Sequence, residues 1–376
     1  MNFKSIQEAG ELEGKKVLLR TDFNVPVVNG KVKDDFRIQK SLETIRYLIS
    51  KKAKIILISH LGEEGTETFE GAVTLALNTY IPAAFVKDIV GDITKEAIAK
   101  MSVGDVLLLE NLRQEKGEVE NDPAFAGALS HLGDIYINDA FSVSHREHAS
   151  VVGIPKHIPG FAGFQFMKEY QELSKVFSPK HPFVVLISGA KFSTKLPLIE
   201  KYLEHADHVF VGGALANTCL KEMGYEIGKS LIDTDVLLPE SVIKSPKLIV
   251  PHDVLVIDEN GKEEIKKIEE IAPGDLIVDA STSAVAGLAE ILKDAKMILW
   301  NGPLGKGDHT LATKMLLNSI RTLAADKIIG GGDTVEVISE MDIPDGELGF
   351  VSTAGGAMLE FLAKETLPGI EALAIK

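Results

Sequence analysis

The sequence predicts an α/β protein built from two units, each a parallel sheet covered by helices on both faces. Three observations carry this. Short Val/Ile/Leu-rich runs alternate along the chain with longer segments of helical period. The runs are nearly continuously apolar, as strands buried on both faces are. At roughly 150 residues per domain, a chain of 376 residues is too long for one module.

The elements follow in order. Strands are expected at 16–20, 54–59, 83–86, 105–110 and 134–138, then at 183–188, 208–211, 247–250, 276–279, 296–300 and 327–330. Helical periodicity marks 36–51, 123–131, 195–205, 281–293, 310–323 and 357–364. The stretch 153–182 sets Pro155, Pro159, Pro179 and Pro182 around an amphipathic segment, 164–177, and reads as a helical hinge. The expected division is 1–155, hinge 156–182, 183–360, and a terminal segment 361–376 returning towards the first domain.

Composition narrows the function. A net charge of −15 argues against a protein that coats nucleic acid or an acidic membrane by charge. One cysteine, Cys219, permits neither an intrachain disulfide nor a cysteine-based zinc site, and fits a reducing cytoplasm. The first residues lack the apolar core of a signal peptide, and no run approaches the ~18 apolar residues of a membrane span. Six arginines occur, and five of them (Arg20, Arg37, Arg46, Arg113, Arg146) precede residue 150. Arginine grips carboxylate and phosphate in two-point fashion, so this bias predicts a small-anion site in the first half.

In open parallel sheets, ligands bind beyond the carboxyl ends of the strands. There the first half places Arg20-Thr-Asp22-Phe-Asn24, Ser59-His60, Glu110-Asn111-Leu-Arg113, Asn138-Asp139 and His145-Arg146. The second half places Gly189-Ala-Lys191 with Lys195 opening a helix, Gly212-Gly213, Asn301-Gly-Pro-Leu304-Gly305, Gly330-Gly331-Gly332-Asp333-Thr334, and Ser352-Thr353 before Gly355-Gly356. Glycine turns at helix N-termini expose N–H groups to anions. Lys191 and Lys195, four apart, are expected on one helical face with an anion between them. Asp333 can hold Mg²⁺ by a carboxylate, and Thr334 can hydrogen-bond a phosphate. Four such turns in one domain imply a nucleotide along the sheet edge. Gly224–Ser230 resembles a P-loop, but its glycines are one residue too close. His145 and His148 lack a third metal ligand.

This ordered set, from Arg20-Thr-Asp-Phe-Asn-Val-Pro26 through Leu109-Glu-Asn-Leu-Arg113 and Trp300-Asn-Gly-Pro303 to Gly330-Gly-Gly-Asp-Thr334, closely resembles phosphoglycerate kinases. The resemblance implies two Rossmann-like domains facing across a hinged cleft, and a monomeric cytoplasmic glycolytic enzyme. It implies Mg-dependent reversible phosphoryl transfer between 1,3-bisphosphoglycerate and ADP, giving 3-phosphoglycerate and ATP. Carried over, Asp22, Asn24, Arg37, His60, Arg113 and Arg146 would hold the triose acid. Arg37, Lys191 and Lys195 would serve the moving phosphoryl group. Lys195, Gly212, Gly213, Leu304, Asp308, Gly331, Gly332, Asp333 and Thr334 would bind nucleotide, with Asp333 on magnesium.

The chain departs from the family pattern in four places. Glu63 stands where an arginine is usual, Asp279-Ala-Ser-Thr-Ser283 replaces Asp-Ile-Gly-Pro-Lys-Thr, Asp308 stands for a ribose-binding glutamate, and Ala354 replaces a glycine. The first departure is expected to weaken triose binding or to turn Glu63 outward. Two other functions fit these departures: a kinase for another small carboxylate, or a non-catalytic nucleotide-binding homologue.

Overall fold

The computed structural model describes residues 3–235, 237–341, 343–344 and 346–375. The chain divides into two compact units, one holding residues up to Gln171 together with those from Thr366 onward, the other Glu172–Glu365.

In the first unit, strands β1 (Lys16–Arg20), β4 (Lys54–Ile58), β5 (Ala84–Val86), β6 (Val106–Leu109), β7 (Ile135–Asn138) and β8 (Gly160–Ala162) form one parallel sheet in the order β5-β6-β4-β1-β7-β8. A small hairpin, β2 (Val27–Val28) with β3 (Lys31–Val32), leads into α1 (Phe36–Ser50). Helices α2 (Ala72–Asn78), α3 (Asp92–Ala99), α4 (Lys116–Val119) and α5 (Pro123–Ser130) complete the connections. Strand β1 reads Lys-Val-Leu-Leu-Arg, and its last four residues are buried because helices cover both faces. Val17, Leu19, Ile55, Leu57 and Ile137 meet Ile38, Ile45 and Leu48 of α1 in one core. Each such fully buried side chain contributes about 1.5–3 kcal/mol. The strand order reverses between β1 and β7, so their carboxyl ends, Arg20–Asp22 and Asn138–Asp139, flank the crevice that such a switch opens.

Helix α6 (Phe164–Ser174) carries the chain to the second unit. There β9 (Phe183–Ser188), β10 (His208–Gly212), β11 (Leu248–Ile249), β15 (Met297–Asn301), β16 (Asp326–Gly330) and β17 (Phe350–Val351) pair in parallel as β11-β10-β9-β15-β16-β17. Helices α7 (Leu196–His205), α8 (Gly213–Glu222), α9 (Glu240–Ile243), α10 (Thr282–Leu292), α11 (Leu311–Ile320), α12 (Gly332–Ser339) and α13 (Gly356–Lys364) surround it. Trp300, fully buried on β15, packs into a core with Val184, Leu186, Leu288 and Leu317. The order reverses between β9 and β15. The chain ends in α14 (Pro368–Ala372), within the first unit, where the Gly369 amide donates to the Ser144 carbonyl at 2.8 Å.

The structure corrects the sequence reading in three places. Residues 276–279 do not join the parallel sheet. They lie in β14 (Leu276–Ala280), which pairs antiparallel with β12 (Asp253–Ile257), itself paired with β13 (Glu263–Lys267). The β12–β13 hairpin was missed because β13 reads Glu-Glu-Ile-Lys-Lys, almost wholly polar. Edge strands β8 and β17, three and two residues long, were missed for their brevity. Finally, Lys191 and Lys195 share no helical face. Pro197 sits in the first turn of α7, which begins at Leu196, so Lys195 is its N-cap and Lys191 lies in the preceding loop.

Candidate active site

The residues expected to bind an anion in the first unit lie in the segments that follow β1, β4, β6 and β7 and in the first turn of α1. Arg37, from the first turn of α1, donates to Asp22 Oδ2 at 2.7 Å, and Ser142 donates to the same oxygen at 2.5 Å. Asp22 Oδ1 accepts from the Asn24 amide at 3.1 Å. Burial opposes ionisation of Asp22, but the Arg37 charge and hydrogen bonds from Ser142 and the Asn24 amide hold its carboxyl below the usual range. The Asn24 side chain accepts from the Gly62 amide at 3.0 Å, fixing the loop after β4 that carries His60. Arg113 follows β6, in a short turn capped by the Asn111 side chain. It donates to the Gly62 carbonyl and pairs with Glu63 at 3.0 Å.

His60, 2% exposed, lies within the fields of Arg20, Asp22, Arg113 and Arg37. Arg146 is exposed and acts, with Arg20 and Arg113, against protonation of neighbouring His148, whose pKa burial depresses to about 4. Arg37 and Arg113 thus act on His60, and Arg113 and Arg146 on His148; the other two arginines of the first half are placed differently. Arg46 lies exposed on α1. Arg20 is fully buried among Ser150, Thr21 and His60. Ser142, Ser150 and buried Glu118 belong to the same neighbourhood and carried no motif signal. Glu63 is largely exposed, yet its carboxylate closes on Arg113 instead of turning away.

In the second unit a cavity of about 630 Å³ opens at the carboxyl ends of β9, β10, β15 and β16, the switch point of the sheet. Of the expected nucleotide residues, Gly213, Leu304, Asp308 and Asp333 line it. Gly212 is buried just behind: a Cβ there would lie 2.4 Å from Ser188 Oγ and 3.3 Å from Leu304 Cδ2. Gly331, at φ +102°, turns the chain into α12 with a backbone that L side chains rarely adopt. Asp333 occupies the first turn of α12 beside Gly332, exposed towards the cavity.

Thr334, next along, is fully buried and its hydroxyl has no protein partner among the described residues. Lys195 donates to the Ser188 carbonyl at the end of β9. Burial lowers its pKa to about 8, against the opposing pull of Asp333. Lys191 is exposed and lies outside the cavity lining. Sequence reasoning missed most of the far wall, Glu336 and Val337 of α12 and Glu340 just after it, with Ile277 and Val278 of β14. The signal was available: the period of α12 turns 333, 336, 337 and 340 to one side.

The divergent 279–283 stretch has local duties. Asp279 accepts from the amides of Ala280 at 2.8 Å and Ala312 at 3.1 Å, tying β14 to the start of α11. Burial raises its pKa to about 6. Ser281 caps α10 through the Ala284 amide at 2.9 Å, and Ser281 and Ser283 both donate to Asp253.

The sequence pattern of the phosphoglycerate kinase family matches residues 6–365. A phosphoglycerate kinase of Wolbachia sp. subsp. Drosophila simulans is 37% identical over 394 aligned positions, covering 99% of both chains. One from Orientia tsutsugamushi is 39% identical, over 96% of this chain and 95% of that one. Among solved structures, phosphoglycerate kinase from Coxiella burnetii superposes with a TM-score of 0.81 at 33% identity, over 99% of this chain and 98% of its own. That from Pyrococcus horikoshii gives 0.87 at 29%, over 98% of each. Motif order, parallel-sheet topology and these whole-length likenesses converge: the chain belongs to the phosphoglycerate kinase family.

Proposed function

We propose that this chain catalyses reversible phosphoryl transfer between 1,3-bisphosphoglycerate and ADP, giving 3-phosphoglycerate and ATP. The observation that carries this is the family match across residues 6–365. In the direction of acyl-phosphate formation, a carboxylate oxygen of 3-phosphoglycerate attacks the γ-phosphorus of ATP. The new P–O bond forms as the bond to the β–γ bridging oxygen breaks, and that electron pair leaves on ADP. The nucleophile is already ionised, so no general base is required. The protein's task is positioning and charge neutralisation.

In this proposal Asp22, Asn24, Arg37, His60, Arg113 and Arg146 hold the triose acid. The bonds of Arg37 to Asp22 and of the Gly62 amide to Asn24, and the action of Arg37 and Arg113 on His60, support it for the first five, while Arg146 rests on the family likeness. Lys195 neutralises the phosphoryl group and the nucleotide phosphates. Lys191 is assigned the same duty from the loop, where its exposed ammonium is free of the helix geometry first expected. Gly212, Gly213, Leu304 and Asp308 flank the base and ribose, while Gly331, Gly332, Asp333 and Thr334 meet the phosphates.

The residues fit magnesium held jointly with a nucleotide. Asp333 is one cavity-lining carboxylate beside the partnerless Thr334 hydroxyl, and no cluster of three or more His, Cys, Asp or Glu among the described residues forms a closed protein cage. Mg²⁺ characteristically uses one or two carboxylates plus substrate phosphates. Bound there through Asp333, it would neutralise phosphate charge.

The triose and nucleotide residues belong to different units, so the proposal includes a hinge movement within 156–182 that aligns the two ligands. It also includes a monomeric, cytoplasmic enzyme. The single cysteine is buried, and no described helix is long and apolar enough to cross a membrane.

The test is a coupled assay with 3-phosphoglycerate and Mg-ATP. Turnover is expected, with a large loss in Lys195→Ala. Absence of turnover, or equal rates in the variant, would contradict the proposal. A panel of other small carboxylates addresses the alternative that Glu63 motivates.

A further inference from the structure

At the end of β1 the Arg20 side chain is fully buried, and each guanidinium nitrogen has a partner. Nε donates to Ser150 Oγ at 2.9 Å, Nη1 to the Thr21 carbonyl at 2.6 Å, and Nη2 lies 3.2 Å from His60 Nδ1. Guanidinium has five N–H donors and no acceptor. The contact to Nδ1 is a hydrogen bond only if Nδ1 offers its lone pair, which leaves the single proton of the neutral ring on Nε2.

The position of Arg20 is set by a second layer. Glu118, 0% exposed, accepts from the Ser150 amide at 2.9 Å and from the Ser150 hydroxyl at 2.5 Å, while Tyr136 donates to the Ser150 carbonyl at 2.7 Å. Glu118 thus supplies the counter-charge, and Ser150 relays between carboxylate and guanidinium. Neither charge can leave without stranding the other in the interior.

We propose that Arg20 is a positioning residue that locks His60 as its neutral Nε2–H tautomer, so that His60 meets the triose acid as a hydrogen-bond donor and never as a cation. The donor role rests on the function proposed above; the tautomer does not. The surroundings act in the same direction. Arg20 from β1, Arg113 from the turn after β6 and Arg37 from α1 all disfavour a second proton on His60. Asp22 alone favours it, and burial opposes it most strongly. A protonated ring would also aim Nδ1–H at an Arg20 N–H. In this reading the guanidinium groups supply the positive charge of the site, and His60 adds direction without adding repulsion among them.

The test is NMR on the full chain with ¹⁵N-labelled histidine, the His60 signals being assigned with His60→Gln. A pyridine-like Nδ1 and a pyrrole-like Nε2 are expected, unchanged from about pH 8 to about pH 5, where an ordinary histidine gains its proton. The opposite tautomer, or a titration midpoint inside that range, would overturn the inference. In the paired variant Arg20→Leu with Glu118→Leu, which removes both buried charges, His60 is expected to populate both tautomers and to titrate at least one pH unit higher. An unchanged His60 in that folded variant also overturns the assignment to Arg20. If the variant does not fold, the parent spectrum still decides the tautomer.

Adding 3-phosphoglycerate is expected to move the Nε2–H signal. Binding by calorimetry without that movement removes the donor role. Absence of binding refutes the triose-acid function and leaves the tautomer standing.

Discussion

Lys195→Arg separates charge from titration at the nucleotide cavity. Burial lowers the Lys195 pKa from 10.5 to about 8. At 1.36 kcal/mol per unit, holding its ammonium in the folded chain costs about 3 kcal/mol relative to water. The sign follows from a lowered folded value. The cost is fully present below pH 8 and fades as pH rises towards the unfolded value of 10.5. A bound phosphate supplies the missing countercharge, so nucleotide binding must raise this pKa and take up a proton when pH lies above 8. In the free protein the ammonium is populated at about nine-tenths at pH 7 and about one-tenth at pH 9. ADP affinity should therefore fall about tenfold between these pH values. Arginine, charged throughout, should flatten that dependence. The assay is calorimetric titration with ADP in buffers of different ionisation enthalpy, which counts the protons taken up at pH 9. A pH-independent affinity in the parent, or an equally steep profile in Lys195→Arg, would refute the reasoning.

Two further substitutions probe each site at rest. Glu63→Gln frees Arg113 from a carboxylate that competes with substrate; the pair is solvent-exposed on the glutamate side and worth about 0.2–1 kcal/mol, so KM for 3-phosphoglycerate should fall by a factor of about 1.4–5, most visibly at low salt. A KM that is unchanged or raised would show that the pair helps the site. Thr334→Val keeps the shape while deleting a buried hydroxyl with no protein partner, so chemical denaturation should show equal or greater stability, by up to about 1–2 kcal/mol, while KM for ATP rises several-fold. Lost stability with unchanged KM would mean that the hydroxyl is structural.

Much of the fold was legible because runs such as Val-Leu-Leu-Leu in β6 and Met-Ile-Leu-Trp in β15 are apolar without interruption, as strands buried on both faces are. The sites were legible because polar residues clustered just past those strands. What stayed hidden had no local signature. Glu118 sits in a run of charges, Gln114-Glu-Lys-Gly-Glu-Val-Glu, that reads as solvated surface. Its complete burial depends on Ser150 and Arg20, which lie far away in sequence. Arg20 was one of the five arginines whose bias to the first half pointed to an anion site, and only its paired nitrogens show that it serves the interior. The helical placement of Lys191 failed because spacing alone cannot say where a helix starts, whereas Pro197 could have.

The two sites differ in how their cations are held before a ligand arrives. Arg37 and Arg113 are already answered, by Asp22 and by Glu63 with the Gly62 carbonyl, so a triose anion must displace or share existing bonds. Lys195 and Thr334 are under-served: one keeps an ammonium at the expense of burial, the other a hydroxyl without a partner among the described residues. A phosphate arriving there adds a countercharge to Lys195 beyond the Ser188 carbonyl and Asp333, and an acceptor for the Thr334 hydroxyl, which is the condition for a preorganised electrostatic site. Of the four departures only Glu63 falls on the satisfied side, where it places an anion on Arg113. On the nucleotide side the altered 279–283 stretch secures its own strand and helix through Ala312 and Asp253, leaving the turn at Asp333 and Thr334 intact. The Glu63 departure should thus register first in KM for the triose acid and its salt dependence, and the 279–283 departure only weakly in nucleotide affinity. The reverse pattern would place the consequence of divergence in β14 and not in the loop after β4.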